Sequence, residues 1–222
     1  MQGSSILFSE MTPQPEWEAE FNDWYDHEHI PLRMAVEGFV SGQRYKSLQD
    51  GSYLAVYEMT SLGVLKSEAY GRVKNQPSDL TRRMLKDVKG FTRYLCDEIG
   101  EQRAPHADAQ AINGACLYPV FFNVPEDREQ AFNDWYEQDH VPLLLESPDW
   151  LTVRRFRIRD GEPGRWTHLA LHYLRDPRAL DSPERERARA TPWRARLAAE
   201  PWFKAHYLLF ERLGPRQLAA AA

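Results

Sequence analysis

One phrase occurs twice in the chain. Residues 21–32 read FNDWYDHEHIPL and residues 132–143 read FNDWYEQDHVPL, 111 positions later. Eight positions are identical, and Asp26 and Glu28 are replaced in kind by Glu137 and Asp139. Weaker matches follow in the same order. Gln43-Arg44-Tyr45 meets Arg154-Arg155-Phe156, Tyr53 and Tyr57 meet His168 and His172, and Arg93 meets His206. Small drifts in spacing cost little when surface loops absorb them. A repeat of this kind restricts the chain to two copies of one supersecondary unit.

Each copy reads as strand, helix, hairpin, helix, strand. Apolar and aromatic runs predict strands at 5–11, 40–47, 53–59 and 91–99, then at 115–124, 152–159, 166–174 and 203–213. Helical spacing of Phe21, Trp24, Tyr25 and Glu28 predicts a helix over about 16–30, with its counterpart at about 126–141. Pro31 and Pro142 are expected to stop or kink these helices. Second helical regions fall at about 62–87 and 182–199. The order βαββαβ, twice, gives an α+β fold of two ferredoxin-like repeats. A four-stranded sheet with helices on one face leaves the other face bare, and a second copy covers it as a fused pseudo-dimeric barrel. Polar residues 100–113 read as a linker between an N-terminal repeat, 1–104, and a C-terminal repeat, 105–222. The tail after Gly214 is expected to fray.

A net charge of −5 lacks the basic footprint of a nucleic-acid binder. No apolar run approaches membrane-spanning length, and the N-terminus has no signal-peptide pattern. Cys96 and Cys116 make neither a disulfide framework nor a zinc spacing, which fits a reducing, cytoplasmic setting. The expected partner is a small molecule, with further homodimerisation left open.

The segment FNDWYDHEHIPLRM resembles the Trp-Tyr-acid-x-acid-His-Ile-Pro signature of EthD-like proteins in the dimeric α+β barrel superfamily. The resemblance implies the fused barrel and chemistry on small, often aromatic molecules. That chemistry includes cofactor-free oxygenation, isomerisation, dehydration, dehydrohalogenation, cyclisation and haem-dependent reactions. Tandem haem members carry their iron ligand on the second helix of the C-terminal half. Here 182–199 contains no His, Cys, Tyr or Met, so no cofactor is expected.

The candidate catalytic groups are His29 and His140, each one turn beyond Tyr25 or Tyr136. Imidazole is the acid/base group suited to neutral pH, and it also caps a helix C-terminus. Asp26, Glu28 and Asp139 oppose the dipole of their helices, so they either orient the imidazole or are compensated by Arg33, Arg44 or Arg155. Neighbouring helical residues do not converge on one ion, and His27 becomes Gln138 in the second copy, so no metal is expected. Tyr53 and Tyr57, like His168 and His172, share one strand face, and His206 is placed to join them. Arg44 and Arg155 are candidate oxyanion partners, and Trp24 and Trp135 serve as core or as a substrate shelf. The run 184–189 reads as a solvated helix face. The leading expectation is a cofactor-independent lyase, dehydratase or isomerase on a small cyclic or aromatic metabolite, centred on the first copy. The alternatives are a cofactor-free monooxygenase of a phenolic substrate and a non-catalytic binding barrel.

Overall fold

The computed structural model describes residues 2–220 of an α+β fold. The chain divides into two compact units. One comprises 1–97, 159–163 and 213–222, the other 98–158 and 164–212.

In the first unit, β1 (Ser5–Thr12) runs antiparallel between β3 (Tyr53–Met59) and β4 (Lys89–Arg103). β2 (Phe39–Ser47) pairs with the other edge of β3, giving the order β4-β1-β3-β2. β1 and β3 are buried along nearly their whole length, and the helices pack against one face of the sheet. Phe21, Trp24, Tyr25 and Ile30 of the first helix enter the core with Leu7, Ala55, Tyr57 and Met59 of that sheet.

In the second unit, β7 (His168–Leu174) lies antiparallel between β5 (Cys116–Phe122) and β6 (Trp150–Glu162). β5 also pairs with the short β8 (His206–Tyr207) and with the start of β9 (Phe210–Leu218). This register sets His172 opposite both Tyr118 and Val153. Phe132, Trp135, Tyr136 and Val141 form the helical side of the core.

The first helix does not end at its proline. An α-helix over Glu18–Trp24 passes into a π turn over Tyr25–His29 and then a further α segment over Ile30–Met34. The second copy repeats this as Glu129–Trp135, Tyr136–His140 and Val141–Leu144. Proline breaks a helix because it has no N–H and crowds the preceding turn. The wide turn removes the conflict. Ile30 N–H bonds back to the Tyr25 carbonyl and Val141 N–H to the Tyr136 carbonyl. A glutamine then supplies a donor in the proline's place. Gln217 Nε2 donates to the Asp26 carbonyl at 3.2 Å, and Gln102 Nε2 donates to the Glu137 carbonyl at 2.8 Å.

Both glutamines lie where the sequence suggested no structure. Residues 100–103 are the end of β4 rather than a linker, and Ala104, Ala111 and Ile112 beyond them are buried. The chain after Gly214 continues β9 to Leu218 instead of fraying. Arg216 donates to Ser41 at 3.2 Å and Ala219 N–H bonds to the Val40 carbonyl at 3.0 Å. Ala221 and Ala222 lie outside the described residues. The second helical regions are each split before a proline, into Glu68–Asn75 and Asp79–Asp87, and into Pro183–Arg189 and Pro192–Ala198. Cys96 and Cys116 are buried free thiols. Among the described residues, no helix is long and apolar enough to cross a membrane.

Candidate active site

The acids of the repeated motif hold the helix and leave the histidines alone. Arg44 donates to Asp26 at 2.9 Å and to Asn22 Oδ1 at 2.5 Å. Arg155 reaches Glu137 at 2.9 Å and Asn133 Oδ1 at 3.2 Å. These guanidiniums clamp the first helix of each unit to its strand, so the expectation of free oxyanion partners at Arg44 and Arg155 is corrected. Glu28 accepts from Ser78 at 2.5 Å and Thr81 at 2.7 Å, and Asp139 accepts from Thr191 at 2.6 Å. Ser78 and Thr191 are the N-cap residues of the helices that follow. Each acid therefore anchors the start of a neighbouring helix, where negative charge is favourable. Compensation, rather than catalysis, explains Asp26, Glu28 and Asp139.

In the first unit, His29 is sealed in the core at 3% exposure, with the Trp24 ring 4.3 Å away and the Tyr25 ring 4.8 Å away. Burial, with Arg33 and Arg44 adding, holds its imidazole well below the usual histidine range. The Arg33 guanidinium lies 5.3 Å over the Tyr57 ring. Tyr57 is buried and electrically coupled to Tyr25, and burial pushes both phenols up. The Tyr53 hydroxyl donates to Glu18 and accepts from Asn22 at 3.2 Å. His27 is exposed beside Asp23. Trp24 donates to Thr81 at 2.9 Å and is core rather than shelf.

In the second unit the corresponding residues line a cavity of about 40 Å³. Its walls are Tyr118, Trp135, Tyr136, His140, Trp150, His172, Phe203 and Tyr207, with Arg185, Arg189 and Arg194 on one side and no carboxylate. Two contacts fix the protonation of His172. Trp150 Nε1–H donates to His172 Nδ1 at 3.2 Å, so Nδ1 carries no proton. The neutral ring then bears its proton on Nε2, which lies 3.0 Å from the Tyr136 hydroxyl. Tyr136 oxygen accepts that proton and keeps its own O–H free to donate elsewhere. Burial, then His140 and Arg185, keep His172 well below the usual range, consistent with a neutral ring.

His140 is set the opposite way. Its Nδ1 lies 3.3 Å from the Ala188 carbonyl, which only accepts, so Nδ1 holds the proton and Nε2 carries the lone pair. The ring stacks on Trp135 at 4.7 Å. Burial pushes it down to about 4, the Ala188 carbonyl acting against this and the three arginines with it. His140 is partly exposed, unlike His29, and it lines the cavity with His172. The π turn contributes both Tyr136 and His140 to the wall, and such turns recur at functional sites.

The remaining predicted residues lie elsewhere. His168 Nδ1 accepts from Arg157 at 3.3 Å, and its Nε2 faces Glu129 at 3.4 Å. Burial, with Arg157 and Arg155, pushes His168 down to about 3, so its contact with Glu129 is made by a neutral ring. His206 is exposed and stacks on Trp166 at 5.6 Å instead of joining His168 and His172. The sequence reading missed Trp150, Tyr118 and the arginines. Arg185 and Arg189 are one helical turn apart around Ala188, which is fully buried, and that spacing was the available signal. The two short helices bring guanidiniums to this space and contain no His, Cys, Tyr or Met. Among the described residues, no group of three or more His, Cys, Asp or Glu side chains is arranged for a metal ion.

No family model matches the chain, and no curated protein matches it by sequence. Solved structures do match in fold. An anthrone oxidase-like protein superposes with a TM-score of 0.71 at 11% identity, over 98% of this chain and 93% of the other. A protein designated a monooxygenase from Fusobacterium nucleatum gives 0.61 at 10% identity, over 98% and 96%. Another so designated, from Lactobacillus acidophilus, gives 0.60 at 10% identity, over 99% and 98%. The likeness is to α+β barrel proteins of monooxygenase type. At these identities the likeness carries the fold; the neighbours' names are those of an oxidase-like protein and of monooxygenases, against the leading expectation of lyase, dehydratase or isomerase chemistry, which is set aside.

Proposed function

We propose that the chain is a cofactor-independent oxygenase of phenolic, fused-ring aromatic substrates, with its working site in the second unit. The observation that carries this reading is the pair of oppositely set neutral imidazoles around Tyr136. His140 offers a lone pair, and His172 frees the Tyr136 proton. Aromatic walls suit a flat ligand, and three guanidiniums suit its anion. The anthrone oxidase-like neighbour supports the same substrate type.

A substrate with a methylene beside a phenol-bearing ring system supplies all four electrons that dioxygen needs. His140 Nε2 takes the acidic O–H proton of the enol form, and Arg185, Arg189 and Arg194 stabilise the anion. The electron-rich carbon reduces dioxygen and forms a C–O bond, and the imidazolium returns its proton to the resulting peroxide anion, giving the hydroperoxide. The Tyr136 hydroxyl donates to the distal oxygen. Removal of the remaining C–H proton breaks the O–O bond, leaving a carbonyl and one water. One oxygen atom enters the product and the other leaves as water, so no external reductant is required. The cavity holds a head group, and a whole ring system enters only if the exposed Tyr207 and the arginine side chains swing aside.

The repeated motif also supports reading the chain as a tandem of EthD-like units, and the β4-β1-β3-β2 order supports a ferredoxin-like unit. Buried free cysteines suit a cytoplasmic protein. The test is oxygen uptake by purified protein, without added flavin or metal, on a hydroxylated anthrone. The expected result is one dioxygen consumed per carbonyl formed, with one labelled atom in the product. Uptake no faster than the protein-free control across a panel of anthrones and naphthols would sink the proposal.

A further inference from the structure

We infer that the substrate of this site carries a carboxylate next to its reactive hydroxyl, held by Arg185 and Arg189. The inference rests on the oxygenase site proposed above and names its substrate class more narrowly.

The first argument is charge. Arg185, Arg187 and Arg189 alternate along one short helix, Pro183–Arg189. Arg187 faces away and is neutralised by Glu146 and Glu184. Arg185 and Arg189 line the cavity, and neither forms an ion pair among the described residues. Arg194 joins them from the next helix, and no acid lines the wall. Both imidazoles of the site are neutral. One phenolate therefore leaves two positive charges uncompensated, and a second anionic group reduces the excess.

The second argument is geometry. Residues four apart on a helix sit about 5–6 Å apart at Cβ, a spacing that two guanidiniums span around one carboxylate. Arg185 Nη1 donates to the Leu180 carbonyl at 2.6 Å and the guanidinium also meets the Tyr118 hydroxyl, and Arg194 Nη1 donates to the Arg189 carbonyl at 3.3 Å. Each keeps its other N–H groups for a ligand. The Ala188 carbonyl, between Arg185 and Arg189, is the group that holds His140 Nδ1 at 3.3 Å. One helical turn thus positions both the anion site and the base. A ligand that meets both places its acidic group and its hydroxyl on adjacent ring positions.

The probes are 1-hydroxy-2-naphthoate and 1-naphthol, titrated into the intact protein at low salt. The readout is the fluorescence of Trp135 and Trp150, which line the cavity. The carboxylate is expected to bind at least tenfold more tightly, about 1.4 kcal/mol, with the preference shrinking as salt rises. In Arg185→Gln/Arg189→Gln the preference should vanish. Should the double variant fail to fold, Arg189→Gln alone, at an exposed position, should cut the preference about threefold or more. Equal affinities in the parent protein, no carboxylate binding at millimolar concentration, or a preference that survives the substitutions would overturn the inference. Selective binding without oxygen uptake would leave the anion site standing and remove only the oxygenase reading. Uptake with equal affinities would do the reverse.

Discussion

Trp150 donates its indole N–H to His172 Nδ1 across 3.2 Å, and this bond decides which way the proton of Tyr136 points. Trp150→Phe removes the donor and leaves a buried nitrogen unsatisfied. The loss should cost about 1–3 kcal/mol in urea unfolding. It should also release the second tautomer of His172, visible in nitrogen NMR shifts. An unchanged tautomer ratio would mean that something other than Trp150 sets it.

His140→Ala should lower turnover about a hundredfold or more with little change in melting. His29→Ala should instead cost stability, because it opens a hole among Trp24 and Tyr25 in a sealed core. Steady-state kinetics paired with thermal melts separate the two. The opposite pattern would return the chemistry to the first copy.

Stability should fall on the acid side of neutrality. His29, His140, His168 and His172 all have folded values below that of a free histidine. Between about pH 6.5 and 4 the unfolded chain binds protons that the folded chain refuses. Their contribution is complete above about pH 6.5 and declines as pH falls. The slope is about 1.4 kcal/mol per pH unit for each imidazole still neutral in the fold. Urea titrations at several pH values test the sign, and stability that rose from pH 7 to pH 5 would contradict it.

Much of the fold was legible because the repeat printed its elements twice. The strands fell close to where apolar and aromatic runs placed them, except that the last, expected at 203–213, divides into His206–Tyr207 and Phe210–Leu218, and the aromatic face of Phe21, Trp24 and Tyr25 is buried as its spacing implied. The ends were misread for a local reason. Residues 100–103 look like a linker because they are polar and apolar-poor, yet a Cβ added at Gly100 would lie 3.0 Å from Arg155 Nη2. The glycine admits a guanidinium. Charged residues 184–189 looked uniformly solvated because composition conceals which face each arginine takes. Only packing shows that the first of the two histidines is sealed against Trp24 and Tyr25 while the second lines a cavity.

Gln102→Ala and Gln217→Ala should each destabilise by about 1 kcal/mol, since a carbonyl left by proline loses its donor. Pro142→Ala combined with Gln102→Ala should recover part of that loss, because the alanine N–H now serves the helix. Additive losses in the double variant would show that the glutamine and proline are not linked in this way.

The π turn also bears on how such a site is kept or lost over time. It is one residue in surplus of a regular helix, so a single-codon deletion between Tyr136 and His140 would restore the ordinary ladder and bring Pro142 back into conflict with it. The same deletion would rotate everything beyond it by about 100°, carrying His140 off the cavity wall. Mutation thus has a short route to an inert protein, one that also costs stability at Pro142. In a lineage that uses the site, selection on activity must hold that extra residue in place. A copy freed from such selection is where the deletion would first accumulate.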